Sequence, residues 1–168
     1  EKENVAAIIE AVMSLPIEFH VLIIDDGSPD GTANIVKDLM AATYTDRLFI
    51  VERSGKLGLG TAYICGFKWA IEHGYDYIFE MDADFSHNPQ DLLKLYDACA
   101  NQGADVAIGS RYVTGVNVVN WPMGRVLMSY FASKYVRFVL GVNIHDTTAG
   151  FKCYRREVLE TIELDKIR

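Results

Sequence analysis

Two kinds of hydrophobic pattern alternate along the chain. Stretches with apolar residues three and four positions apart, the spacing that builds one face of a helix, are followed by short apolar runs typical of strands buried on both faces. A helix over residues 5–13 opens the series, and further helices separate the strands that follow. The predicted strands cover residues 19–25, 48–51, 77–79 and 104–109.

This alternation of helix and strand predicts an α/β fold. Right-handed crossovers would bring the strands into one Rossmann-like, mostly parallel sheet with helices on both faces. Beyond the fourth strand the alternation stops, with one long helix predicted at 121–140 and a loop and strand within 146–156. No repeat or linker divides the sequence, so we expect a single domain over 1–168.

Composition narrows the classes of partner. Half of the 168 residues are apolar and the net charge is -7, which argues against nucleic acid and means that an anionic ligand would need local basic residues. The three cysteines are far apart and form no C-x-x-C motif, so free thiols are expected. No signal peptide and no apolar run of membrane-spanning length are present, and the domain itself is expected to be soluble.

Charged residues follow each predicted strand, at the edge where open α/β sheets bind ligands. In strand order they are Asp25 and Asp26, Arg53 and Lys56, Asp82 and Asp84, and Arg111. Asp82 and Asp84 suit Mg²⁺ or Mn²⁺, which two carboxylates can hold together with substrate phosphates and water. The alternative for this D-x-D sequence is a solvated turn.

The other charged positions also have two interpretations. Asp25 and Asp26 could accept hydrogen bonds from a nucleoside, whereas Asp30 and Thr32 are explained as turn and cap residues of the next helix. Arg111 could bind phosphate oxygens through its planar guanidinium, and so could Arg125, unless Arg125 is a solvated residue of a first helical turn.

The long predicted helix mixes aromatic and basic residues. Core packing explains such a pattern, and so does an amphipathic helix at a membrane surface. The sequence leaves both open. The residues concerned are Trp121, Tyr130, Phe131, Lys134, Tyr135, Arg137 and Phe138.

Six segments in order resemble the dolichol-phosphate (polyprenol-phosphate) mannose synthase family, which belongs to the family-2 glycosyltransferases with a GT-A fold. They are D-D-G-S-P-D-G-T at 25–32, R-S-G-K-L-G-L-G-T-A-Y at 53–63, M-D-A-D-F-S-H-N-P at 81–89, G-S-R-Y-V at 109–113, W-P-M-G-R at 121–125 and D-T-T-A-G-F-K-C-Y-R-R at 146–156.

The resemblance implies an inverting transfer of mannose from GDP-mannose to dolichyl or polyprenyl phosphate, with Mg²⁺ or Mn²⁺ on Asp82 and Asp84. The S-H-N-P continuation favours mannose, because Ser86 stands where glucose-type relatives carry Gln. The implied catalytic residues are Asp84, Arg111, Arg125 and Asp146, the last orienting the acceptor loop. The implied nucleotide-sugar site comprises Glu1, Asp25, Asp26, Lys56, Gly58, Asp82, Ala83 and Asp84.

The resemblance also implies a catalytic domain truncated at both ends. A strand that carries P-x-Y-N-E would precede the first helix, with Glu1 as its last residue, and the protein would act peripherally on the cytoplasmic side of a membrane. Oligomeric state is left open. Alternatives are a UDP-sugar donor, a hydroxyl acceptor or a nucleotide-sugar-binding module without turnover. A phosphatase that uses an aspartyl nucleophile is disfavoured.

Overall fold

The computed structural model describes residues 2–110, 123–141 and 144–167. Its helices are α1 (Lys2–Met13), α2 (Thr32–Ala42), α3 (Leu59–Glu72), α4 (Leu92–Ala100), α5 (Met123–Leu140) and α6 (Arg156–Thr161), with 3₁₀ turns at Pro89–Asp91 and Leu164–Lys166. Its strands are β1 (Val21–Asp25), β2 (Leu48–Glu52), β3 (Tyr77–Met81), β4 (Val106–Ile108) and β5 (Phe151–Arg155). The predicted α/β class and the alternation through β4 are confirmed.

The described strands form two sheets. β1 and β2 pair in parallel, from Val21 opposite Leu48 to Asp25 opposite Glu52. In the second sheet β5 lies between β3 and β4 and runs antiparallel to both. The sequence predicted one mostly parallel sheet, whereas β3 and β4 each pair with β5, which runs antiparallel to both. The antiparallel direction has a consequence for the site, because Phe151 at the start of β5 lies opposite Met81 at the end of β3.

The helices bury their apolar faces against these sheets. Val5 and Ile9 of α1 pack with Val36 of α2 and Leu48 of β2. A second cluster joins α4 to the other sheet through Leu92, Leu95, Cys99, Phe151 and Cys153. All three cysteines are free thiols, as expected.

A cavity of about 620 Å³ separates the two sheets. Its walls include the residues of β1 and β3 together with side chains of α1 and α3. Among the described residues β1 pairs only with β2, and β3 only with β5. The strand expected ahead of α1 stays a prediction.

Candidate active site

Asp25 ends β1 and organises the loop that follows it. Its side chain is 5% exposed, and Oδ2 accepts hydrogen bonds from the N–H groups of Gly27 and Ser28, both at 3.0 Å. Gly27 has a φ of +72°, a left-handed conformation that glycine adopts without a steric cost. One oxygen of Asp25 is thus engaged in shaping the turn. Its predicted contact with a nucleoside is not tested by this geometry.

Asp26 and Arg53 join the ends of β1 and β2. The Arg53 Nε and Nη2 atoms donate to the two Asp26 carboxylate oxygens at 2.5 and 2.6 Å, the bidentate geometry that a guanidinium fork favours. Arg53 Nη1 also donates to Thr61 Oγ1 at 2.8 Å. The hydrogen bond from Arg53 holds the pKa of Asp26 below its usual value, against the opposing effect of burial. The charges of Asp26 and Arg53, which follow β1 and β2, therefore neutralise each other.

The loop from β2 to α3 carries Lys56 and Gly58. Gly58 has a φ of +98°, so a side chain there would be strained. Its carbonyl accepts a 2.7 Å hydrogen bond from Thr61 Oγ1, and the Lys56 charge contributes to lowering the pKa of Asp26. These two residues thus lie beside the Asp26–Arg53 pair, at the same edge of the protein.

The Asp82 carboxylate follows β3 directly and is held from two sides. The Tyr63 phenol, on α3, donates to Asp82 Oδ1 at 3.0 Å. On the other side lies Gly150, where a Cβ atom would stand 2.6 Å from Asp82 Oδ2. Burial, and then the Asp82 charge and hydrogen bond, raise the pKa of Tyr63. Tyr63 therefore stays a protonated donor at neutral pH.

Asp84 is held by its own turn. The Ser86 N–H donates to Asp84 Oδ1 at 2.9 Å, and the intervening Phe85 has a φ of +57°, a strained conformation for a bulky residue. Burial acts to raise the pKa of Asp84, but the hydrogen bonds from Ser86 outweigh it and the pKa is lowered. His87 then stacks on Phe151, with ring centroids 4.9 Å apart.

An ion pair lies two residues before the D-x-D sequence. Glu80 on β3 faces Lys152 on β5 in register, and the Lys152 ammonium contacts the Glu80 carboxylate. Burial raises the pKa of Glu80, and the hydrogen bond and charge of Lys152 oppose that shift. The Tyr154 phenol also interacts with Glu80. This buried network fixes the strand end from which Asp82 projects.

Asp146 holds the turn that leads into β5. It is fully buried, and its Oδ1 accepts from both the N–H and the hydroxyl of Thr148 at 3.2 Å. α5 is joined to the same turn, because Ser129 Oγ lies 3.1 Å from Thr148 Oγ1 and the Thr147 hydroxyl donates to Ser133 at 3.4 Å. Asp146 therefore orders a loop beside the acidic pair, and its effect on an acceptor stays a prediction.

The donor set of Asp82 and Asp84 fits a hard divalent cation. The described residues contain no group of three or more histidine, cysteine, aspartate or glutamate side chains placed to hold a metal. Two carboxylates nevertheless suit Mg²⁺ or Mn²⁺, which keep several waters and take further oxygens from a diphosphate. These two residues are where such an ion would bind.

Some predicted site residues lie outside the described residues. Glu1 and Arg111 are among them, and the side chain of Arg125 is too, although α5 includes its backbone. Within the described part of the chain, the antiparallel β5 brings the Asp146 loop to Asp82. The contact between Tyr63 and Asp82 places the start of α3 beside the same carboxylate.

Four residues at this site were not singled out from the sequence. They are Tyr63, Glu80, Gly150 and Lys152. Tyr63 and Gly150 lay within the family-like segments, but nothing in their spacing predicted contact with Asp82. Glu80 did carry a signal, since a carboxylate inside the apolar run Y-I-F-E-M requires a partner when it is buried.

Two bacterial proteins are similar to the chain along most of its length. It is 49% identical over 167 residues to the polyprenol monophosphomannose synthase of Mycolicibacterium smegmatis, covering 99% of this chain and 62% of that protein. It is 47% identical over 150 residues to the undecaprenyl-phosphate mannosyltransferase of Micrococcus luteus, covering 89% and 60%. The chain thus spans less than two thirds of the length of either relative.

The similarity to a whole protein family also covers most of the chain. The sequence profile of glycosyl transferase family 2 matches residues 1–163. That match confirms the resemblance drawn from the six segments, and with it the GT-A type of α/β fold. The chain belongs to glycosyl transferase family 2.

Proposed function

We propose that this chain is the catalytic part of an inverting glycosyltransferase that moves mannose from GDP-mannose to dolichyl or polyprenyl phosphate. The observation that carries the proposal is the high identity to two proteins named for mannose transfer to polyprenyl phosphates. The site agrees with it, because the acidic pair Asp82 and Asp84 lies at a strand end where this class of fold binds ligands.

The donor side needs positive charge against a diphosphate. Mg²⁺ or Mn²⁺ on Asp82 and Asp84 would supply Lewis-acid stabilisation of the departing GDP. Asp25 and Asp26 would hold the nucleoside, with Lys56, Gly58 and Ala83 completing the binding surface. Tyr63 and the Ser86 turn hold the two carboxylates in place before any ligand arrives, which reduces the ordering cost of binding.

The acceptor side needs orientation more than proton removal. A phosphate monoester is already an anion near neutral pH, so its oxygen can attack the sugar without a strong general base. Arg111 and Arg125 would pair with phosphates of donor and acceptor, as guanidinium groups do. Asp146, which is buried and bonded to Thr148, would order the acceptor loop instead of abstracting a proton.

One face of α5 suits contact with the membrane that contains the acceptor. Leu127, Met128, Phe131, Tyr135 and Phe138 are exposed, Phe138 by 88%, and their spacing places them on one side of the helix. The opposite side carries Ser129 and Ser133, which contact the 146–148 turn.

Basic residues accompany this apolar face. Lys134 and Arg137 flank it, and such charges are attracted to anionic lipid by about 1 kcal/mol each. No helix within the described residues is long and apolar enough to span a bilayer. The exposed apolar face and these basic residues support the proposal that the protein makes peripheral contact with a membrane, on its cytoplasmic side.

A transfer assay tests the proposal. Full-length protein is mixed with Mg²⁺, radiolabelled GDP-mannose and a short polyprenyl phosphate, and label in the organic phase is measured. We expect transfer by the wild type, its loss with EDTA and a loss of at least about 100-fold in Asp84→Asn. Asp91→Asn, an exposed carboxylate paired with Lys94, is the matched control and should retain activity.

Binding measurements, together with the transfer assay, distinguish the alternatives. Preference for UDP-glucose over GDP-mannose in calorimetry would replace the mannose assignment with another donor. Metal-dependent binding of GDP without any product would indicate a nucleotide-sugar-binding module. Absence of both binding and transfer in the full-length protein would overturn the proposal.

A further inference from the structure

We propose that Tyr63 is a positioning residue that, with Gly150, holds the Asp82 carboxylate in the orientation needed to bind the divalent ion. The inference rests on the proposed function, because it assumes that Asp82 is a metal ligand. It assigns a role to one residue of α3 and one residue of the loop before β5, neither of which was singled out from the sequence.

The contact with Tyr63 links the start of α3 to the end of β3, the next element along the chain. Tyr63 lies in the second turn of α3, which packs against both β1 and β3. Its phenol reaches across to the first residue after β3 and donates to Asp82 Oδ1 at 3.0 Å. The Phe67 ring stacks on the Tyr63 ring, with centroids 6.4 Å apart. Phe67 also contacts Tyr154, with centroids 5.2 Å apart. These ring contacts help to hold the Tyr63 phenol in position beside the Asp82 carboxylate.

Gly150 limits the carboxylate from the other side. A Cβ atom on residue 150 would stand 2.6 Å from Asp82 Oδ2 and 3.0 Å from both Cγ and Oδ1. The 2.6 Å distance is shorter than real Cβ contacts and the 3.0 Å distances are tight, so the Asp82 carboxylate occupies the space that a side chain would need. With the phenol on one side and the glycine backbone on the other, rotation of the carboxylate is restricted.

Asp84 does not share this support, because its contact is with the N–H of Ser86 in its own turn. The two proposed ligands are therefore held by different hydrogen bonds, and removal of the Tyr63 hydroxyl should affect the position of Asp82 alone. Outer partners that orient metal ligands typically contribute 10-fold to 100-fold in metal affinity. Tyr75 provides a matched control, because its phenol is bonded to His20 Nδ1 at 2.8 Å and it lies before the start of β3, at the other end of the strand from Asp82.

The test measures Mn²⁺ binding in the presence of GDP, by the electron paramagnetic resonance signal of free Mn²⁺. The full-length wild type is compared with Tyr63→Phe, Tyr75→Phe, Asp82→Asn and the Tyr63→Phe/Asp82→Asn double variant. We expect Tyr63→Phe to raise the Kd of Mn²⁺ about 10-fold and Tyr75→Phe to change it less than twofold. The double variant should bind no more weakly than Asp82→Asn, because Tyr63 acts through Asp82.

Each outcome decides between the inference and the proposed function. If Asp82→Asn weakens binding and Tyr63→Phe does not, the inference is overturned while the metal site stands. If Tyr63→Phe weakens binding equally in the presence and absence of Asp82, its role is general to the structure and the inference is also overturned. If the wild type binds no Mn²⁺ with GDP, both fail together. Thermal unfolding of each variant identifies any loss of folding.

Discussion

Lys152 on β5 lies directly opposite Glu80 on β3, and its ammonium forms an ion pair with the Glu80 carboxylate inside the protein. The Glu80 side chain is 4% exposed and that of Lys152 is 21% exposed. The pair joins the two strands two residues before Asp82. The stability of this strand end and the position of the proposed metal ligand are therefore linked.

Removal of the Lys152 charge should destabilise the fold. Lys152→Met leaves the Glu80 carboxylate buried without its partner, and breaking a buried pair in this way costs about 3 kcal/mol or more. Urea unfolding followed by circular dichroism measures the change in the free energy of unfolding. The control is Lys68→Met, because Lys68 pairs with the exposed Asp165 and should cost less than about 1 kcal/mol. Equal effects of the two substitutions would contradict this account.

The Asp26–Arg53 pair should give a pH-dependent contribution to stability. Because the folded-state pKa of Asp26 is lowered from 3.8, the contribution is present above pH 3.8 and is lost as the pH falls through the lowered value. At pH 7 we expect Asp26→Asn to lower Tm by about 3 °C. The difference from wild type should shrink below pH 4 in thermal scans.

A surface ion pair provides the reference for that measurement. Lys37 and Glu52 are 48% and 49% exposed, so Glu52→Gln should change Tm by no more than about 1 °C. A Tm difference for Asp26→Asn that stays constant from pH 7 to pH 3 would show that the charge of Asp26 is not its cause.

Gly150→Ala should damage the site more than a comparable substitution elsewhere. The added Cβ atom would stand 2.6 Å from Asp82 Oδ2, so the carboxylate must rotate away from its position beside Tyr63. Misplacement of a catalytic group by about 1 Å can cost about 100-fold, and we expect a loss of that order in kcat/KM. Gly60→Ala, where the added Cβ has no atom within 4 Å, should retain activity. Retention by both variants would contradict the close packing of Gly150 on Asp82.

The exposed face of α5 should bind lipid. Phe131→Ser combined with Phe138→Ser removes two aromatic side chains that are 61% and 88% exposed. Sedimentation with phosphatidylglycerol vesicles should show binding at least about 10-fold weaker than wild type, because burial of an aromatic side chain contributes more than 1 kcal/mol. Ile167→Ser, at an exposed position outside α5, should bind as wild type does. Identical sedimentation of all three proteins would remove α5 as the contact.

The sequence predicted the elements well because their hydrophobic periodicity reflects local burial. Four strands and their intervening helices were identified, and the charged residues after β1, β2 and β3 do follow strand ends. The direction of β5 could not be predicted, since it depends on how α5 and the 146–150 loop return the chain to the sheet. Antiparallel pairing is a tertiary outcome that periodicity does not encode.

The site was predicted in outline and not in its contacts. Asp26 and Arg53 were both identified as charged strand-end residues, but their mutual pairing arises from the parallel register of β1 and β2. Tyr63 and Asp82 are 19 residues apart, and only the packing of α3 against the sheets brings them together. The left-handed φ of Phe85 could not be predicted either, because bulky residues rarely adopt that conformation.

In the proposed mechanism, Asp82 and Asp84 hold a divalent ion on a nucleotide sugar. A crystal structure of the full-length protein with Mn²⁺ and GDP-mannose, with anomalous scattering recorded for manganese, tests it most directly. We predict an anomalous peak at coordination distance, roughly 2 Å, from carboxylate oxygens of Asp82 and Asp84, with diphosphate oxygens as further ligands. A peak elsewhere, or GDP-mannose bound with no manganese at these carboxylates, would contradict the account.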